Sequence, residues 1–255
     1  MANENFFPGT LIKSTNKNNL KHFRFHAFAA ILVFGLMLLQ LDISHLLNLS
    51  PTLNYDKFMV MIEGNEVTHL QDFATPWLTY LSAFVYLIGF TGLLIGTFLL
   101  FAYKKDEKSL HEFTIAFTLI YLIAYPFYIL FPVDVTSKVL PNMAPLLYSL
   151  NPSIVSFIHI CDPSLNNCFP SLHSALSFMA MLIIISRTSH LGFKAIAVVI
   201  TIAIHFTILY LGIHWITDML GGILLAFISY YIATRYCEHI VELSEKRIWK
   251  NGLER

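Results

Sequence analysis

From Trp77 to Tyr103 the chain carries no charged residue. A helix over that stretch, rising about 1.5 Å per residue, is long enough to cross the ~30 Å hydrocarbon layer of a bilayer with length to spare for tilt. Lipid offers backbone polar groups no partner, so a run of this kind is driven into helix. The same feature recurs. Apolar stretches at roughly Phe25–Leu41, Trp77–Tyr103, Phe113–Pro132, Leu172–Ile185, Phe193–Leu211 and Trp215–Ile232 read as six spans. The fourth is short, and it suffices only if its first turn, with Ser171 and His173, lies in the interface. Composition agrees: 56% of residues are hydrophobic and 13% charged, where a soluble domain carries about 25% charged. The expected fold is an all-α integral membrane protein, a six-transmembrane-helix bundle.

Basic residues set the orientation. Six spans with a cytoplasmic N-terminus place Lys13, Lys17, Lys21, Arg24, Lys104, Lys105, Lys108, Arg187, Lys194, Arg235, Lys246, Arg247, Lys250 and Arg255 inside. Only Lys57 and Lys138 fall outside, in accord with the positive-inside rule. The organisation that follows is a cytoplasmic tail over 1–24, a membrane domain over 25–235 and a cytoplasmic tail over 236–255. The first apolar run lacks a small-residue cleavage site and reads as a retained span. Two outer segments, 42–76 and 133–171, are long. Ala144–Leu150 and Ile154–Ile160 within the second suit short helices covering a site.

The cysteines are Cys161, Cys168 and Cys237. Their spacing fits no zinc motif. Cys161 and Cys168 share one outer segment, and the spacing allows either a disulfide or two thiols. Asn48-Leu49-Ser50 matches a glycosylation sequon close to the first span.

The unusual polar residues gather at the outer face. Ser171 and His173 stand in CFPSLHSALS, at the outer end of the fourth span. His214 and Asp218 stand in GIHWITDMLGG, between the fifth and sixth. Four residues apart on a helix means one face, one turn along. A histidine that donates one ring proton to a carboxylate keeps its other nitrogen for attack. A second histidine opposite can protonate a leaving oxygen. Ser171 opens a helix whose free N–H groups suit a phosphate. The set fits phosphoryl transfer through a phosphohistidine. Each part also has a plainer reading. Ser171 can be only a helix cap, His205 reads as a packing residue, and His173, His214 and Asp218 could instead hold a metal.

These two stretches resemble signatures of the type 2 phosphatidic acid phosphatase superfamily. Pro170, Ser171, Leu172 and His173 are similar to its PSGH motif. His214 and Asp218 match the end of SRxxxxxHxxxD, with Thr207 at the serine position and Ile208 at the arginine. The resemblance covers roughly 80–235 and implies a six-span helical core with its active site at the outer face. The family's first signature, KxxxxxxRP, has no counterpart in YILFPVDVTSKVLPN, where Lys138 is the only basic residue. The leucine of PSLH and the missing arginines are similar to the branch with inositol phosphorylceramide and sphingomyelin synthases, which transfer headgroups.

The resemblance implies a metal-independent lipid phosphate phosphatase, with no cofactor and no nucleic-acid partner. His214 would be the nucleophile, Asp218 its orienter and His173 the general acid. Ser171, Lys138 and Thr207 would bind phosphate. The alternative is a headgroup phosphotransferase on phosphodiester lipids. A protein that only binds or transports lipid phosphates is the reading outside catalysis.

Overall fold

A computed structural model describes residues 24–36, 39, 55–152, 154, 156 and 165–250 of the chain. All regular structure among them is helical. Four helices are long and apolar enough to cross a membrane: Pro76–Tyr103 (α3), Glu107–Leu130 (α4), Leu191–Tyr210 (α7) and the part of Ile216–Lys250 (α8) up to Leu243. They coincide with the second, third, fifth and sixth expected spans. Two shorter apolar helices, Arg24–Leu36 (α1) and Leu172–Arg187 (α6), stand where the first and fourth were expected. Small elements lie between them: Asp56–Glu63 (α2), a 3-10 turn at Glu66–Phe73, and Thr136–Val139 (α5).

Local chemistry sets the helix starts. Thr75 accepts from the Leu78 amide at 3.3 Å, with Pro76 at the first helical position, where its missing N–H costs nothing. Asp106 caps α4 through the Ser109 amide at 3.1 Å and the Ser109 hydroxyl at 2.7 Å. Inside α3, Val85–Gly89 forms a π turn.

At the centre, α6 packs against α8, α4 and α7. Its Ala175, Met179, Ala180 and Ile183 are fully buried. Large apolar side chains such as Leu99, Val199, Ile202 and Leu224 point outward and exposed. A soluble protein would not present such a surface, whereas lipid tails cover it without penalty. At the end opposite Ser171, the Arg187 guanidinium grips Glu112 with two hydrogen bonds of 2.6 Å.

The described parts of the segments 55–75 and 133–171 lie at the Ser171 end. Val133 and Asn167 form an isolated bridge that ties the strand-like exit of α4 to the approach to α6. The stretch 146–150 is turn, where short helix was expected. Just before it, the Gln71 side chain bonds the Ala144 amide and carbonyl and also the Tyr210 carbonyl. Most of Ile154–Ile160, with Cys161 and Asn48, lies outside the described residues. Gly212 has φ +78°, and a Cβ there would meet the Ala144 carbonyl at 2.9 Å, so the turn before His214 needs glycine.

Candidate active site

His214 sits just before α8, in the turn between α7 and α8. It does not share a helix face with Asp218, as their spacing suggested. The contact forms because Asp218 reaches back over the first turn. Its Oδ2 lies 3.3 Å from His214 Nδ1 and accepts the Trp215 amide at 3.0 Å. The carboxylate thus closes the helix start and holds the imidazole in one act. Asp218 is fully buried, and His214 is nearly so. Trp215 is pinned in turn, its indole N–H donating to the Asp134 carbonyl at 2.9 Å.

The start of α8 has a second carboxylate. Glu63 Oε1 accepts from the Ile216 amide at 3.2 Å. Glu63 Oε2 accepts from the Thr217 amide at 2.9 Å and its hydroxyl at 3.2 Å. Negative charge at a helix N-terminus is favourable. Burial, aided by the nearby Asp218, nevertheless holds the Glu63 carboxyl above its ordinary value.

His173 faces His214 from α6, with ring centroids 5.8 Å apart. Its ring packs on Tyr86 at 4.5 Å and Phe90 at 4.7 Å, both from α3. Ser171 is buried and caps α6, accepting the Ser174 amide at 3.3 Å. Its own amide donates to the Asp218 carbonyl at 3.1 Å. The close approach depends on Gly222, where a Cβ would meet the Ser171 carbonyl at 2.5 Å and Ser174 Cβ at 2.8 Å. His205 is engaged elsewhere, between Ser174 and the Thr201 carbonyl.

The two histidines line a cavity of about 250 Å3, together with Tyr86, Tyr121, Tyr125, Tyr128, Asn167 and Cys168 among others. Among the described residues, no lysine, arginine or carboxylate is in that lining. Lys138 pairs with Asp134 at 3.0 Å and stands outside it. Burial raises the Asp134 carboxyl while the Lys138 ammonium works against that shift. Thr207 is buried on α7, also outside the lining. The structure therefore gathers His173, His214 and Asp218, supports them through Ser171, and sets Lys138 and Thr207 apart. The sequence reading missed the tyrosines. Tyr121, Tyr125 and Tyr128, spaced four and three apart, share one face of α4, and that periodicity was the available signal.

The profile of the PAP2 superfamily matches residues 67–232, from the Gln71 segment through α8. The chain belongs to the PAP2 superfamily. As a superfamily member it is an enzyme acting on phosphoric esters of membrane lipids, and the matched region contains Ser171, His173, His214 and Asp218, with Glu63 just outside it. Among solved structures, LpxE from Aquifex aeolicus is similar, with a TM-score of 0.54 and 18% identity over 68% of this chain and 94% of that one. The likeness is one of fold. No curated protein matches.

Proposed function

We propose that the chain is a membrane-bound lipid phosphate phosphatase working through a phosphohistidine. The observation that supports this reading is the His214–Asp218 contact with His173 across the cavity. Asp218 accepts the Nδ1 proton of His214, which leaves a lone pair on Nε2 directed to phosphorus. Nε2 attacks, the P–O bond to the lipid alcohol breaks, and His173 gives its proton to the departing oxygen. His173 then takes a proton from water, whose oxygen attacks the phosphohistidine and frees phosphate. Each residue ends as it began. Six spans, with both termini in the cytoplasm, put this site toward the periplasm, cell exterior or lumen.

One observation favours a second reading. A phosphomonoester carries nearly two negative charges near neutral pH, a diester one, and the cavity lining among the described residues supplies no lysine or arginine. Such a site suits a diester headgroup, with a lipid alcohol in place of water. Both readings are tested on detergent-purified protein beside His214→Ala, with a chelator present. The substrates are lipid monoesters and diesters, with and without a lipid alcohol. His214-dependent release of phosphate supports the phosphatase. A new headgroup lipid formed only with the alcohol supports the transferase. No turnover of any substrate would sink both.

A further inference from the structure

Cys168, His214 and Asp218 are all buried, and each offers a ligand atom within 4.8 Å of the other two. They come from two separate stretches, the approach to α6 and the turn into α8, so no sequence motif announces them. The set is a thiol, an imidazole and a carboxylate. A tetrahedral zinc ion with bonds of ~2.0–2.3 Å needs ligand atoms about 3.3–3.7 Å apart. His214 Nδ1 and Asp218 Oδ2 already stand at 3.3 Å. A second, independent observation points the same way. Among the described residues, Asp218 Oδ1 is buried without a hydrogen-bond partner, an arrangement that is costly unless something binds there. Cys168 and His214 both line the cavity, which gives an ion a route in and leaves a fourth position open.

The geometry points to a soft-metal site at Cys168, His214 and Asp218, taking Zn2+ or Cd2+ and blocking the reaction. The thiol loses its proton to solvent as the metal–sulfur bond forms. Thiolate and carboxylate together neutralise the divalent charge. The neutral imidazole binds through Nδ1, and its single proton moves to Nε2. That step removes the lone pair the nucleophile needs. The metal is therefore an inhibitor of this site, and this part of the inference rests on the proposed mechanism. Hard ions such as Mg2+, which prefer oxygen ligands, do not compete for it.

The test reads binding apart from activity. Full-length protein in detergent is titrated with Cd2+ while the ultraviolet thiolate-to-cadmium charge-transfer absorption is followed. The expected result is a band that saturates at one ion per chain, is displaced by Zn2+ and is indifferent to Mg2+. Cys168→Ala should abolish it. Asp218→Asn should weaken affinity by about 100-fold, at least as much as loss of an outer-shell partner does. Cys168→Ser, which retains a donor toward the Ile213 carbonyl now bonded by the thiol at 3.5 Å, substitutes if Cys168→Ala does not fold. No band, or a band that survives both Cys168 variants because Cys161 or Cys237 supplies the thiolate, overturns the site. Binding without inhibition of an active enzyme overturns the blocking role. An inactive enzyme that shows the band leaves the site standing and counts against the phosphatase reading alone.

Discussion

The main-chain amide of Ser171 donates to the carbonyl oxygen of Asp218 across 3.1 Å. This bond joins the start of α6, which carries His173, to the start of α8, which holds His214. The distance between the two histidines is therefore set by backbone against backbone, with Gly222 as the spacer that permits contact.

Gly222→Ala should push α6 and α8 apart. Overpacking of this kind costs about 1–3 kcal/mol. A displacement near 1 Å in a reacting geometry lowers rate by about 100-fold. The expected outcome is a lower melting temperature together with a fall in kcat/KM, read on the same preparation. A melting point that drops while kcat/KM holds would mean the helix spacing does not set the chemistry.

Asp218→Asn keeps the shape but removes the negative charge that faces His214 Nδ1. Turnover should fall at least ~100-fold, the scale of acid–base assistance. With radiolabelled substrate and an alkaline quench, which preserves phosphohistidine, labelled protein should form in the wild type and be absent in His214→Ala. Label retained on His214→Ala would place the nucleophile elsewhere.

His173→Ala separates the two halves of the cycle. With an aryl phosphate, whose leaving group needs little protonation, the first step proceeds and the second lacks its base. Labelled enzyme should accumulate above the wild-type level. If it stays below that level with aryl and alkyl substrates alike, His173 is not the acid–base group.

Glu63 gives a pH signature. Its folded-state value is raised by burial, so its contribution to stability is complete below the ordinary carboxyl range. That contribution is lost as pH rises through the raised value. Glu63→Gln removes this titration. The wild type should lose melting temperature relative to the variant as pH climbs from ~4 to ~8. Parallel curves would show that Glu63 has no such coupling.

Tyr125 and Lys138 divide the question of what holds the headgroup. Among the described residues, the Tyr125 hydroxyl is buried without a hydrogen-bond partner in a cavity wall, whereas Lys138 is half exposed and paired to Asp134. A lost hydrogen bond is worth about 0.5–1.5 kcal/mol. Tyr125→Phe should raise KM several-fold, and Lys138→Ala should change it by less than about twofold. The reverse ranking would return phosphate binding to the lysine.

Hydropathy made the long spans legible, because lipid imposes one solution on an uncharged run such as Trp77–Tyr103. The candidate cluster was legible for a different reason: few polar residues survive in such a chain, so His173, His214 and Asp218 stand out, and the structure brings them together. How they meet was less so. Spacing placed His214 and Asp218 on a helix face, yet His214 precedes α8, and the aspartate caps the same turn that holds the histidine. Ser171, expected in a phosphate cradle, is buried and caps α6. Glu63 and Gln71 gave no signal, since their partners are backbone groups more than 70 residues away in the chain. Contacts of that kind depend on tertiary placement and leave no local pattern.

The π turn at Val85–Gly89 bears on how chains like this one can diverge. A π turn holds one residue more than an α turn, so it sets the phase of side chains on either side of it. Tyr86 and Phe90, which both pack on His173, stand four residues apart across that turn, so the extra residue sets how the helix on one side is phased against the other. Deleting one residue there would leave every motif intact and still turn part of the aromatic wall relative to His173. Along α3, insertions and deletions are changes of angle as well as of length, and two relatives with identical signatures can differ in what their cavity admits.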